Sequence, residues 1–169
     1  MPNWCRNKLT VTGPADDVNA FQTSVAYRGE EGDTELSLEK LHPTPPILLM
    51  ETSPRKTPEG MAVPTQSVID MLTKDQPLET DDWYSWRIRN WGTKWEITAT
   101  IKKVDHFKNG NTKVVYEFDS AWSPPCKAFK YACENWPTLT FRLTYQELDM
   151  GVGGSETYKA GEENLGYEP

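Results

Sequence analysis

Two alternating segments joined at Asn109-Gly110 constrain this chain more than anything else in it. Trp95, Ile97, Ala99 and Ile101 alternate with Glu96, Thr98, Thr100 and Lys102. Beyond the turn, Val114, Tyr116 and Phe118 alternate with Val115, Glu117 and Asp119. A period of two puts successive side chains on opposite faces, so each run reads as a strand with one buried face. Asn-Gly supplies the positive φ angles of a tight hairpin. The second half therefore predicts an antiparallel pair with an apolar side to cover.

The rest of the chain supplies the cover. Leu9 to Thr12 reads as a short strand stopped by Gly13-Pro14, and Val18, Phe21 and Val25 follow at helical spacing behind Asp16 and Asp17. Glu35 to Leu41 reads as a second strand. Ser123-Pro124-Pro125 opens a helix whose inward face is Cys126, Phe129, Cys133 and Trp136. Pro137 ends it, and Leu139, Phe141, Leu143 and Tyr145 give a last strand. The fold class is α+β: a ferredoxin-like sandwich, an antiparallel sheet with helices on one face. The expected layout is a single domain over 1–169 with a proline-rich and helical insertion at about 42–92. Within it, a short helix capped by Thr65 buries Val68, Ile69 and Leu72, and Asp81-Asp82 opens another helix through Trp83 and Trp86 to a stop at Gly92. From about 150 the glycine-rich end reads as a flexible tail.

Composition narrows the function. The 169 residues are 37% hydrophobic with seven tryptophans, enough for a real core. No apolar run is long enough for a membrane span, and the first residues lack the apolar stretch of a signal peptide, so the expected location is the cytoplasm. Cys5, Cys126 and Cys133 form an odd set without a CxxC pair, which fits reduced, buried thiols. The net charge of −7 and the scattered cations argue against a nucleic-acid partner. The expected open face, with Thr10, Thr12, Thr98, Thr100, Lys102, Glu117, Asp119, Thr140, Arg142 and Thr144, also lacks aromatics for bases to stack on.

Four segments carry a family resemblance: Pro2 to Asn7 with Leu9 to Gly13; Asn90-Trp91-Gly92-Thr93-Lys94-Trp95; Phe118 to Pro125 with its Ala-Trp-Ser-Pro-Pro; and Tyr145-Gln146-Glu147 with Tyr158 and Gly161. Through them the chain resembles the YubB-type family of phage and plasmid proteins, which carries a ferredoxin-like domain and has no established general function. The resemblance implies a mobile-element gene, of a kind that often acts on host machinery or host defence; fold alone supplies no activity. The proline-rich insertion and the end after Met150 depart from the family pattern.

No constellation specifies chemistry. His42 and His106 have no local cysteine or serine signature, and no spaced set suits a metal. Gly151-Val152-Gly153-Gly154-Ser155 lacks the lysine of a phosphate loop. No catalytic residue, metal or cofactor is expected. The tryptophan-rich segment remains, with arginine and lysine interleaved. Trp91 and Trp95 are read first as closing one end of the sandwich. The alternative is a recognition patch of Arg87, Arg89, Asn90, Trp91, Lys94, Trp95 and Trp122, because Trp and Arg dominate binding hot spots. The expected function is a non-enzymatic accessory protein that binds a host macromolecule, a host protein above all. The alternatives are a sponge for a nucleotide-derived defence signal and a nucleic-acid module.

Overall fold

The computed structural model describes residues 3–29, 32–49, 82–147 and 151–162. They form an α+β sandwich whose sheet has five antiparallel strands in the order β2-β3-β1-β4-β5. The strands are β1 (Trp4–Pro14), β2 (Thr100–His106), β3 (Asn111–Ala121), β4 (Thr140–Glu147) and β5 (Val152–Lys159). The main helices are α1 (Ala15–Val25), α4 (Trp83–Asn90) and α5 (Cys126–Asn135), and α2 (Leu38–Leu41) and α3 (Pro46–Leu49) are single turns. The first four strands and helices α1 and α5 give the β-α-β-β-α-β course of a ferredoxin-like sandwich, and β5 extends the sheet beside β4.

β1 is the middle strand because both of its edges find partners, Leu9 lying opposite Tyr116 on one side and Leu143 on the other. Its alternation decides the two faces. Cys5, Leu9 and Val11 are buried beneath α1 and α5, while Arg6 and Lys8 are exposed on the open side. Helix α1 buries Val18, Phe21 and Val25, and α5 buries Ala128, Phe129, Ala132 and Cys133. Phe21 joins the layers, meeting Phe141 edge-on at 5.3 Å and Trp136 at 5.5 Å. Each such side chain contributes roughly 1.5–3 kcal/mol by leaving water. Asn7, the polar residue on the buried face of β1, is satisfied by donating to the Cys5 carbonyl and the Ser120 hydroxyl.

Several expectations hold. The Asn109-Gly110 hairpin is present, with Gly110 at φ +86° and Asn109 accepting from the Asn111 N–H. Tyr116, Phe118 and Phe141 are buried on the helix side. Asp82 caps α4 by accepting from the Ser85 N–H at 2.7 Å. The short helix expected behind Thr65, the prolines from Pro54 to Pro64 and Asp81 lie outside the described residues. No helix among the described residues is long and apolar enough to cross a membrane.

Three expectations are corrected. Glu35 to Leu41 is no strand: Thr34 makes an isolated bridge with Tyr27, and Leu38–Leu41 is a helical turn. The Glu96 carboxylate causes this, since it accepts the Leu38 and Glu39 N–H groups at 2.7 and 2.8 Å and takes donors a ladder would need. The segment expected as a strand from Trp95 joins the sheet only at Thr100. Ile97 and Ala99 are buried as their alternation requires, but the Ala99 N–H goes to the Thr34 hydroxyl. The glycine-rich end expected as a tail forms β5, in register with β4 from Val152 opposite Glu147 to Lys159 opposite Thr140. Its glycines serve packing, because a Cβ on Gly154 would lie 2.7 Å from the Tyr145 hydroxyl.

Candidate functional site

The segment Asn90 to Trp95 divides between two environments. Trp91 is fully buried, and its indole nitrogen donates to the His42 carbonyl at 2.8 Å. Trp86 meets it edge-on at 6.2 Å. The Arg87 guanidinium lies over it, 4.4 Å from the ring centroid. Asn90 turns back to donate to the Trp86 carbonyl. Gly92 lies at φ +93°, and a Cβ there would press to 3.0 Å from the Pro124 carbonyl oxygen, so the position requires glycine for both angle and space.

Three hydrogen bonds then stitch this segment to the end of β3, the turn after it and the first turn of α5. Ser123 donates to the Gly92 carbonyl at 2.5 Å, Thr93 donates to the Ala121 carbonyl at 2.9 Å, and the Ala128 N–H donates to the Trp91 carbonyl at 3.2 Å. The Asn-Trp-Gly-Thr and Ala-Trp-Ser-Pro-Pro strings are two sides of one joint, which locks α4 to the start of α5.

Arg87 is committed inside this joint. Its side chain is 16% exposed, and it bonds the Thr44 hydroxyl at 3.1 Å and the Glu39 carboxylate at 3.3 Å. Glu39 accepts both the Thr44 N–H and hydroxyl at 2.8 Å, so its oxygens are fully engaged. Arg89 is exposed on α4.

The other half of the segment faces water. Trp95 is 39% exposed, Trp4 49% and Trp122 51%. Trp4 and Trp95 touch, with ring centroids 6.2 Å apart. The Lys94 ammonium sits between two indoles, 4.3 Å from the Trp95 ring centre and 5.6 Å from that of Trp122. Trp122 has φ +70°, a left-handed backbone that costs a bulky side chain of order 1 kcal/mol, and its N–H is held by the Asn3 carbonyl at 2.9 Å. Of the seven residues expected to form one patch, the structure brings Lys94, Trp95 and Trp122 together at the surface. It places Arg87, Asn90 and Trp91 in the joint. Sequence reasoning allowed Trp4 to join Trp122 in either the core or the patch but did not count it among the seven, although its even register with Arg6 and Lys8 on β1 signalled the open face.

Two thiols and one imidazole are shifted by burial. Burial pushes the Cys126 thiol up to about 12, and the Glu156 carboxylate, which accepts from the sulfur at 3.4 Å, adds to the shift. Burial likewise raises Cys5 to about 11. His42 is stacked on Tyr131 at 3.7 Å, and burial lowers its pKa below the ordinary 6.5.

The sequence of residues 91–169 matches the family model described as the ferredoxin-like domain in Api92-like protein. No curated protein matches the chain in sequence. The crystal structure of protein api92 from Yersinia pseudotuberculosis superposes on 100% of this chain and 99% of its own, with a TM-score of 0.50 at 10% identity, which is a likeness of fold. The matched residues supply β2 to β5 and α5, while the middle strand, β1, comes from residues 4–14 outside the match. Residues 91–169 are thus similar to the ferredoxin-like domain of Api92-like protein, and in the fold a strand from residues 4–14 completes their sheet.

Proposed function

We propose that this chain is a non-catalytic accessory protein of a phage or plasmid that binds a macromolecule in the cytoplasm of its bacterial host, with Trp4, Lys94, Trp95 and Trp122 as the recognition surface. The exposed indole cluster carries this reading. Trp95 and Trp122 flank one ammonium, Trp4 packs against Trp95, and Trp122 is kept in a costly backbone conformation with its ring half in water. Contiguous exposed apolar surface marks interaction sites, and Trp ranks first among hot-spot residues. Thiols held protonated by burial support a binding role over nucleophilic catalysis. The resemblance to YubB-type proteins supplies the mobile-element context, and interference with host defence is the use that context favours.

The test is capture from host lysate on immobilised wild type, Trp95→Ala/Trp122→Ala and a Phe107→Ala control, Phe107 being an exposed aromatic elsewhere. Nuclease-treated and untreated lysates are run in parallel. The expected result is a defined macromolecule held by wild type and control and depleted about tenfold by the double variant, which corresponds to 1.4 kcal/mol. Equal recovery on all three baits overturns the assignment of this surface.

A further inference from the structure

We propose that the macromolecule is single-stranded nucleic acid, laid along the open face of β1 with bases stacked on Trp4 and Trp95 and phosphates held by Arg6 and Lys8. This rests on the tryptophan cluster being a recognition surface and names its partner. Trp4, Arg6 and Lys8 are alternate residues of one strand, so all three project from the same face in a straight row. At a rise of about 3.4 Å per residue, successive members stand about 7 Å apart, a step that an extended nucleotide chain can follow. Beyond Trp4 the row continues into Trp95, Lys94 and Trp122 through ring contact and cation–π contact. A stacking platform joined to a basic track is the arrangement that single strands require.

The ground beside the row fits the same ligand. Arg6 and Lys8 line a shallow polar groove of about 610 Å³, together with Thr98, Thr100, Lys102 and Thr144. Its hydroxyls suit phosphate and sugar oxygens. The groove also holds Glu117 and Asp119, which stand opposite Lys8 and Arg6 in the β1–β3 register, and Glu117 lies 3.9 Å from the Lys102 ammonium as well. Among the described residues, neither Arg6 nor Lys8 forms an ion pair with a carboxylate. An open trough suits a passing polymer better than a free nucleotide, which needs most of its surface enclosed. A duplex keeps its bases stacked internally and away from Trp4. The indole at the end of β1 supplies the aromatic group that the open face was expected to lack.

The chain is acidic overall, so binding is expected to be modest and sensitive to salt. Three phosphate contacts, to Arg6, Lys8 and Lys94, give a slope of about −2 in log affinity against log salt for a single strand. The measurement is fluorescence anisotropy of labelled thymidine and uridine oligomers of about ten nucleotides, against the intact chain, over roughly 20 to 200 mM potassium chloride. Expected are binding at low salt, that slope, and affinity for a matched duplex about tenfold weaker or less. Arg6→Ala/Lys8→Ala weakens binding about tenfold, and Trp4→Ala weakens it at least about fivefold, the loss of one stacked base. Charge reversal by Arg6→Glu/Lys8→Glu abolishes it, and unfolding curves establish that each variant is folded. Absence of binding at low salt, equal affinity for duplex, or indifference to the Arg6/Lys8 substitutions overturns the proposal. If oligomers fail while lysate capture still depends on Trp95 and Trp122, the recognition surface stands and its partner is another macromolecule. Loss of both results removes the surface as well.

Discussion

The Trp91 indole donates to the His42 backbone carbonyl at 2.8 Å, and that bond ties the joint after α4 to the chain leading into α3. The ring is wholly buried beneath Arg87 and beside Trp86. Replacing it by alanine removes a large buried side chain and strands the His42 carbonyl. Trp91→Ala is expected to lower the unfolding free energy by about 3–5 kcal/mol, and Trp91→Phe by about 1–3 kcal/mol. Urea titrations measure both.

Arg87 and Lys94 are close in sequence and separate in role. Arg87→Ala exposes Glu39 and Thr44 to unmet bonding and uncovers Trp91, so it costs about 1–3 kcal/mol of stability. Lys94→Ala changes stability by no more than about 0.5 kcal/mol, as surface substitutions do, and weakens partner binding. The same urea titrations, run beside oligonucleotide anisotropy, separate the two effects.

His42 predicts an acid-side loss of stability. Burial lowers its folded pKa below the 6.5 of the exposed ring, and its Nδ1 finds no hydrogen-bond partner among the described residues. The unfolded chain therefore binds a proton at a pH where the folded chain does not, and stability falls as pH drops through and below 6.5. Thermal midpoints between pH 8 and pH 5 test this, and His42→Gln flattens that part of the profile.

Cys126 and Cys5 predict the reverse on the alkaline side. With folded pKa values near 12 and 11, both thiols stay protonated where unfolded cysteine has ionised. Stability is expected to decline as pH rises above about 8.5, and iodoacetamide at pH 8 to modify folded protein far more slowly than urea-unfolded protein. Mass spectrometry of peptides containing Cys5 and Cys126 reads the outcome.

Much of the architecture was legible because burial leaves a periodic trace. The alternation around Asn109-Gly110, the spacing of Val18, Phe21 and Val25, and the Pro-opened helix at Cys126 each record one covered face. Glu35 to Leu41 misled because Leu36 and Leu38 are both buried, as in a strand. The decision against a strand came from Glu96, nearly sixty residues away, which no local pattern reveals. β5 was hidden by Gly153 and Gly154, whose small size reads as looseness until Tyr145 is seen lying against them. At the surface, composition singled out tryptophan and cations as the notable residues. It could not tell Trp91, which points into the joint, from Trp95, which turns out of it, because that division depends on Gly92 reversing the chain between them.

That division is the central claim, and a crossed comparison of Trp91→Phe with Trp95→Ala tests it most directly. Each variant is measured for unfolding free energy and for capture of the host macromolecule. The account predicts that Trp91→Phe loses about 1–3 kcal/mol of stability and keeps its partner, while Trp95→Ala keeps its stability and loses capture about tenfold. A Trp95→Ala protein that binds as wild type does, or one destabilised as much as Trp91→Phe, would contradict it.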